Sequence, residues 1–317
     1  MYQNGMLNLI GHTPLVKLGD LAQGLGPRVF VKPEFLNPSG SIKDRIALKM
    51  IMEAHEQGLL RPGGTIVESS TGNTGLAVSF VGNMLGWKVI IYETTPGRMG
   101  VEKRKMMESF GAEVHSLPPV VPDCSKEHSV MGAEVEYPGR LLCLELERTH
   151  PGYWWARQFS NPGNTKAHFE TGMEILEQCP GDVDVFVASI GTGGTLKGIA
   201  EVLKKENPKV RIVGIQPASS TKRIVPGGTW TRSETDGGII ADIVEIPGLV
   251  DEVVLVGDSA AVNMAHRLRR EGFMAGVSSG ANVLVALREA EKLEGGNVVT
   301  VLPDHMNRYF TDEHYVT

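Results

Sequence analysis

Four short segments of this chain hold the residue types and spacings that could do chemistry. Asn37-Pro38-Ser39-Gly40-Ser41-Ile42-Lys43-Asp44-Arg45 is a turn-forming run that delivers Lys43 at the start of a helix. There the positive end of the helix dipole, with partial burial, disfavours the ammonium and favours a nucleophilic amine. Read alone, such a lysine is more often simply solvated. Glu68-Ser69-Ser70-Thr71-Gly72-Asn73-Thr74-Gly75 lies between a strand and a helix; its small residues expose backbone N–H groups and hydroxyls suited to a carboxylate or phosphate, or to an ordinary cap. Ser189-Ile190-Gly191-Thr192-Gly193-Gly194-Thr195 has the same setting, and its glycines and threonines let the backbone wrap a phosphate. Leu196 stands where a dinucleotide fingerprint needs glycine, and the Gly-Lys-Ser/Thr of a P-loop is missing, so a phosphate monoester suits this loop better than NAD or ATP. Gly276-Val277-Ser278-Ser279-Gly280-Ala281 offers two hydroxyls beside a glycine, which in isolation reads more simply as a cap.

The elements that must position these segments follow from periodicity. Short β-branched runs predict strands over 65–68, 88–93, 183–189, 210–216, 252–256 and 297–302. Longer amphipathic stretches predict helices after Lys43, Asn73, Met99, Thr165, Thr195, Asp258 and Gly280. This alternation predicts an α/β fold with parallel sheets covered by helices on both faces. Ligands in such sheets bind beyond the carboxyl ends of the strands, where strand-to-helix turns lie. Residues 117–153 break the alternation with Pro, His and charged side chains before a helical pattern resumes around 141–147, and are expected to bridge two lobes.

At 317 residues the chain exceeds the size at which one core usually stops growing, which favours two lobes around a cleft. With 41% hydrophobic and 21% charged residues its usage is that of a folded globular protein, while 38 glycines suggest many tight turns or close approaches of backbone to ligand. A net charge of -6 without a long Lys/Arg run argues against a nucleic-acid partner. Neither a secretory leader pattern nor an apolar run of about eighteen residues is visible, so no membrane association and a cytoplasmic location are expected. Cys124, Cys143 and Cys179 are widely spaced and odd in number, which predicts reduced structural thiols; no metal-ligand spacing appears among the histidines.

Taken together, in this order and at these separations, the four segments resemble the cysteine synthase (O-acetylserine sulfhydrylase) and cystathionine β-synthase family of pyridoxal-phosphate (PLP) enzymes, fold type II. The resemblance runs from Ile10-Gly11-His12-Thr13-Pro14-Leu15-Val16 to Leu302-Pro303-Asp304. It implies two three-layer α/β/α lobes with mostly parallel twisted sheets and the cofactor in the cleft: a smaller mobile lobe over 45–156, and a larger lobe over 1–44 plus 157–317. It makes Lys43 the Schiff-base lysine, Asn73 the partner of the cofactor's 3′ oxygen, and Gly191, Thr192, Gly193, Gly194 and Thr195 the phosphate cup. Ser278 matches the serine facing the pyridine nitrogen. Ser70, Thr71, Gly72 and Thr74, with Gln158 from Arg157-Gln158-Phe159-Ser160-Asn161-Pro162, match the groups that hold a substrate α-carboxylate. A neutral hydroxyl opposite the ring nitrogen makes a weaker electron sink than a carboxylate partner would, which favours β-elimination and β-replacement over transamination. The implied activity is PLP-dependent β-replacement on an O-activated L-serine, foremost sulfide displacing acetate to give L-cysteine through an aminoacrylate, in a homodimer acting on small molecules.

The departures from the family's usual sequence concern substrate rather than cofactor. Glu68-Ser69-Ser70-Thr71 replaces Glu-Pro-Thr-Ser, Thr95-Pro96-Gly97-Arg98-Met99 replaces a Met-Ser segment, and Asp236-Gly237-Gly238-Ile239-Ile240-Ala241-Asp242 keeps its glycine pattern only loosely. Arg98, Lys222 and Arg223 could meet an anionic leaving group or an acidic acceptor, although a solvated basic surface accounts for them more simply. O-phosphoserine sulfhydrylase, cystathionine β-synthase, a diaminopropionate-type synthase and a serine dehydratase therefore stay open as alternatives, and a cofactor-free binding module is disfavoured by the joint presence of lysine, cup and serine.

Overall fold

The run Asn297-Val298-Val299-Thr300-Val301-Leu302 is apolar at nearly every position, a pattern that suits a strand covered on both faces. In the computed structural model, which describes residues 5–70, 72–94, 101–118, 137–218, 248–311 and 315, this run is buried along its whole length. The described elements are, in chain order, β1 (Val16–Lys17), β2 (Arg28–Pro33), α1 (Lys43–Glu56), β3 (Thr65–Ser69), α2 (Asn73–Met84), β4 (Lys88–Glu93), α3 (Val101–Ser109), β5 (Glu113–Ser116) and α4 (Tyr137–Thr149). They continue with β6 (Tyr153–Trp155), α5 (Pro162–Gln178), β7 (Val185–Ser189), α6 (Gly194–Glu206), β8 (Arg211–Pro217), β9 (Glu252–Val256), α7 (Asp258–Arg270), α8 (Val277–Ala290) and β10 (Asn297–Leu302).

The strands form two sheets. A six-stranded sheet has the order β1-β2-β10-β7-β8-β9, and a four-stranded sheet the order β5-β4-β3-β6. Every pairing is parallel except the antiparallel β1 on β2. Alternation along β10 sends Val298 and Leu302 into a core with Val29, Val187 and the α7–α8 residues Met264, Leu268 and Val283, while Val299 and Val301 pack with Phe186 and the α6 residues Leu196 and Leu203. The smaller sheet is likewise covered twice. Ile66, Val89 and Ile91 pack with Ile46, Leu76 and Met107 of α1, α2 and α3, and Val67 and Ile90 pack with Cys143 of α4. The result is the expected α/β fold of two three-layer halves. All four strands of the smaller sheet fall between 65 and 155, although its core also takes in Leu7 and Ala167 from outside that range.

The six predicted strands are all present, with ends shifted by at most two residues. Four further strands escaped the pattern: β1 and β6 span two and three residues, β5 is a largely exposed Glu-Val-His-Ser edge, and β2 ends in Pro33. Helix α5 begins at Pro162, ahead of the expected start after Thr165, because Asn161 accepts from the Gly163 amide at 2.9 Å with proline in the first turn. The described end of the expected bridge, α4, packs on the smaller sheet, so closely that a Cβ on Gly139 would lie 2.3 Å from Ser69 Oγ.

Candidate active site

Four helices begin at one place, and the residue before each lacks a side-chain cap. Ile42 precedes α1, Gly72 precedes α2, Gly193 precedes α6 and Gly276 precedes α8, and none supplies a side-chain acceptor to the first-turn N–H groups. At α1 the Lys43 amide donates instead to Ser41 Oγ at 3.3 Å; helix starts normally recruit such acceptors, so the uncapped amides of α2, α6 and α8 that face a cavity are available to a ligand. The cavity between them is lined by Lys43, Asn73, Gly191, Thr192, Gly193, Thr195 and Ser278, together with Asp304 and Tyr309. It lies at the carboxyl ends of β7 and β10, where a parallel sheet is expected to bind ligand.

Lys43 is placed by a pinned turn. Ser41 forms an isolated bridge with Asp304, the Ile42 amide donates to Pro303 O at 2.8 Å, and the His305 amide donates to Gly40 O at 3.1 Å. Within the turn the Ser39 amide donates to Asp44 Oδ2 at 2.7 Å and the Ser39 hydroxyl donates to Asp44 Oδ1. Burial of Asp44 pushes its carboxyl up to about 6, against the opposing pull of these Ser39 hydrogen bonds. Gly40 holds the bend at φ 90°, a left-handed conformation that favours glycine.

The glycine-threonine loop is held from behind. Gly193 adopts φ 85°, and a Cβ on Gly194 would lie 2.1 Å from Asn164 Oδ1, so Gly194 backs onto α5 and is the one cup residue outside the cavity lining. Asn164 Nδ2 donates to Thr192 Oγ1 at 2.9 Å and to Gln158 O at 2.6 Å. Thr195 Oγ1 lies 3.0 Å from His168 Nε2, whose other nitrogen is 3.2 Å from Thr171 Oγ1. Burial, with the nearby charges of Lys43 and Arg45, holds His168 well below its ordinary value, so it is neutral and each ring nitrogen has one role, donor or acceptor. Gly191 has open space where a Cβ would point.

Of the residues expected to hold a carboxylate, Ser70, Thr74 and Gln158 are buried, and Gln158 is joined to the cup through Asn164. Thr74 Oγ1 donates to Gln158 Oε1 at 2.5 Å, and the Gly72 amide donates to Ser70 Oγ at 3.3 Å. Glu68 underlies them, accepting from the Gln158 amide at 3.2 Å and from Trp155 Nε1 at 3.1 Å. Thr71, the loop 95–99, Lys222, Arg223, residues 236–242 and Cys124 lie outside the described residues. Asp304, which ends the stretch of family resemblance, lines the cavity with Tyr309; Tyr309 and the supporting Asn164 and His168 carry no sequence signal of their own, since a His within a helix is ordinary core or surface.

The donor set fits pyridoxal phosphate. One cavity combines a lysine amine, uncapped helix N–H groups with two threonine hydroxyls for a phosphate, and a serine hydroxyl at another helix start. Among the described residues there is no cluster of His, Cys, Asp and Glu that could hold a metal ion, and no helix long and apolar enough to cross a membrane.

Comparison with known proteins agrees. Residues 6–304 match the family model described as pyridoxal-phosphate dependent enzyme. A cysteine synthase of Staphylococcus aureus is 38% identical over 319 residues, covering 98% of this chain and 97% of that one. Among solved structures, the cysteine synthase of Entamoeba histolytica superposes with a TM-score of 0.82 at 34% identity, covering 99% of this chain and 91% of that one. An O-ureido-L-serine synthase superposes with a TM-score of 0.84 at 32% identity, covering 98% and 95%.

Proposed function

The chain belongs to the pyridoxal-phosphate dependent enzyme family, and from that premise we propose that it is an O-acetylserine sulfhydrylase, forming L-cysteine from O-acetyl-L-serine and sulfide by β-replacement. The observation that carries this reading is the convergence of Lys43, the uncapped α6 start and Ser278 on one cavity, with the hydrogen-bonded Thr74–Gln158 pair joined to it through Asn164. The bound cofactor supplies an electron-withdrawing ring that lets a proton leave the α-carbon of an amino acid and a substituent leave its β-carbon.

The chain's own residues do the rest. Lys43 would hold the cofactor through its amine, and the same Nζ, when free, would accept the α-proton of the amino acid and later return it to product. Gly191, Thr192, Gly193, Gly194 and Thr195 hold the phosphate at the start of α6, where the helix dipole favours negative charge. Ser278 would offer a neutral hydroxyl to the ring nitrogen, and Asn73 would meet the ring oxygen. Ser70, Thr71, Gly72, Thr74 and Gln158 hold the α-carboxylate, which orients the β-substituent for departure.

We further infer that 45–156 forms the smaller, mobile lobe and 1–44 with 157–317 the larger, a division supported by the strand content of the two sheets. A cytoplasmic homodimer is the quaternary and cellular reading; the unpaired, buried Cys143 and Cys179 support a reducing compartment, and the mass in solution tests the dimer. A second nucleophile is a specific alternative, favoured by the likeness to an O-ureido-L-serine synthase and by Ser69-Ser70 in place of Pro-Thr.

The experiment supplies the holoenzyme with O-acetylserine, O-phosphoserine or serine, with and without sulfide, and quantifies cysteine and pyruvate. Cysteine from O-acetylserine, absent in Lys43→Ala, is expected. Rapid pyruvate release without nucleophile would instead indicate a dehydratase, and donor consumption that sulfide does not redirect to cysteine would indicate another acceptor.

A further inference from the structure

The hydrogen-bonding polarity of one cavity side chain is dictated by the residues that follow β10. Asn73 Nδ2 donates to Asp304 Oδ2 at 2.7 Å, and Asn73 Oδ1 accepts from Arg308 Nη1 at 2.9 Å. A carboxylate only accepts and a guanidinium only donates, so the amide cannot sit the other way round. Its oxygen is committed to Arg308, which leaves the second N–H of Nδ2 for the cavity that Asn73 lines. The two orienting residues are themselves fixed and buried. Tyr309 donates its hydroxyl to Asp304 Oδ2 at 2.6 Å, and Arg308 Nη2 donates to Ser39 O. Burial, then the charge of Asp304 and its hydrogen bond, hold the Tyr309 phenol well above its ordinary value, so it keeps its proton. The start of α8 presses on the same group: a Cβ on Gly276 would lie 2.2 Å from Asp304 Oδ1 and 2.5 Å from the Tyr309 ring.

We propose that Asp304, Arg308 and Tyr309 are positioning residues that lock the Asn73 amide with an N–H toward the cavity, so that the site favours an ionised oxygen on the ring of its ligand. This rests on the assignment of the cavity to pyridoxal phosphate, and specifies how the chain sets the ionisation of the ring oxygen beside Asn73. A donated hydrogen bond favours the charged form of its acceptor, whereas a reversed amide would present its own oxygen and disfavour it. A purely structural role, pinning residues 39–41 to the segment after β10, would alter stability without altering that ionisation.

The test is a pH titration of the visible absorption of holoenzyme reconstituted with pyridoxal phosphate, which reports the ionisation of the ring oxygen and its conjugated nitrogen. Wild type is compared with Asn73→Ala, Arg308→Met and Tyr309→Phe, and with Asn73→Ala combined with each of the other two. Asn73→Ala is expected to raise the midpoint by about one pH unit, and Arg308→Met and Tyr309→Phe, which each leave the Asp304 contact to Asn73 in place, by less. Neither second substitution should add to the shift in the Asn73→Ala background, because both act through that amide. Tyr309→Phe removes a single hydroxyl and keeps the ring, so it reads the network even where Arg308→Met fails to fold. A shift from Asn73→Ala with none from Tyr309→Phe or Arg308→Met would overturn the proposal, as would equal shifts in both backgrounds. No shift from Asn73→Ala in a protein that keeps its visible band would overturn the proposal alone, whereas no visible band in the wild type would overturn the assignment of the cavity.

Discussion

At the scale of single residues, the chain separates groups proposed to meet the ligand from groups that hold those groups in place. Thr74 and Gln158 illustrate the first kind: both are buried, and their 2.5 Å hydrogen bond fixes the side chains expected to grip a substrate carboxylate. Thr74→Val keeps the volume and removes the donor. The expected outcome is a rise in KM for the amino-acid donor of about five- to tenfold with a smaller change in kcat, read from initial rates. Residues of the first kind were legible in sequence because they crowd into strand-to-helix turns with small, hydroxylated neighbours. Residues of the second kind were not. Asn164 and His168 sit inside α5, where nothing in the local pattern marks them, and they reach Thr192 and Thr195 only because α5 packs along α6.

At the scale of elements, close helix contacts set where the helix starts lie. Gly280, in the first turn of α8, faces the backbone of α7: a Cβ there would lie 2.0 Å from Ala261 O and 2.7 Å from the Ala265 amide. Backbone cannot yield as a flexible side chain can, so Gly280→Ala must push α8 away and displace Ser278. A loss of stability of about 1–3 kcal/mol, measured by denaturant unfolding, is expected together with weaker cofactor retention on dialysis. The central strands β3, β4, β7, β8 and β10 were readable because both faces are covered and each carries a run of β-branched or other apolar residues. The short edge strands were not, since β5 and β6 owe their conformation to pairing with β4 and β3 rather than to any pattern of their own.

At the scale of the whole molecule, two contacts tie distant parts together. Thr311 donates through its amide and hydroxyl to Glu102 of α3 at 2.6 and 2.7 Å, so the segment after β10 touches both the cavity and the flank of the smaller sheet. Lys32, Arg45, Glu34 and Glu174 form a buried ion network linking β2, α1 and α5. Burial works against the Glu174 carboxylate, but the hydrogen bonds and charges of Arg45 and Lys32 outweigh it and hold the group down at about 2. A carboxyl lowered in the folded state stabilises the fold above its unfolded value and loses that contribution as pH falls through the folded one. Glu174→Gln should therefore lower the thermal midpoint by several degrees near neutrality, and the gap to wild type should shrink between about pH 4.5 and 2; a gap that does not change over that window would place the stabilisation elsewhere. The central claim, that this molecule is organised around a cofactor held on Lys43, is tested most directly by reducing the holoenzyme with borohydride and mapping the modified peptide by mass spectrometry. The account predicts pyridoxyl label on Lys43 in the wild type and none on that peptide in Lys43→Ala. Label on another lysine, or no label in a yellow, active wild-type protein, would contradict it.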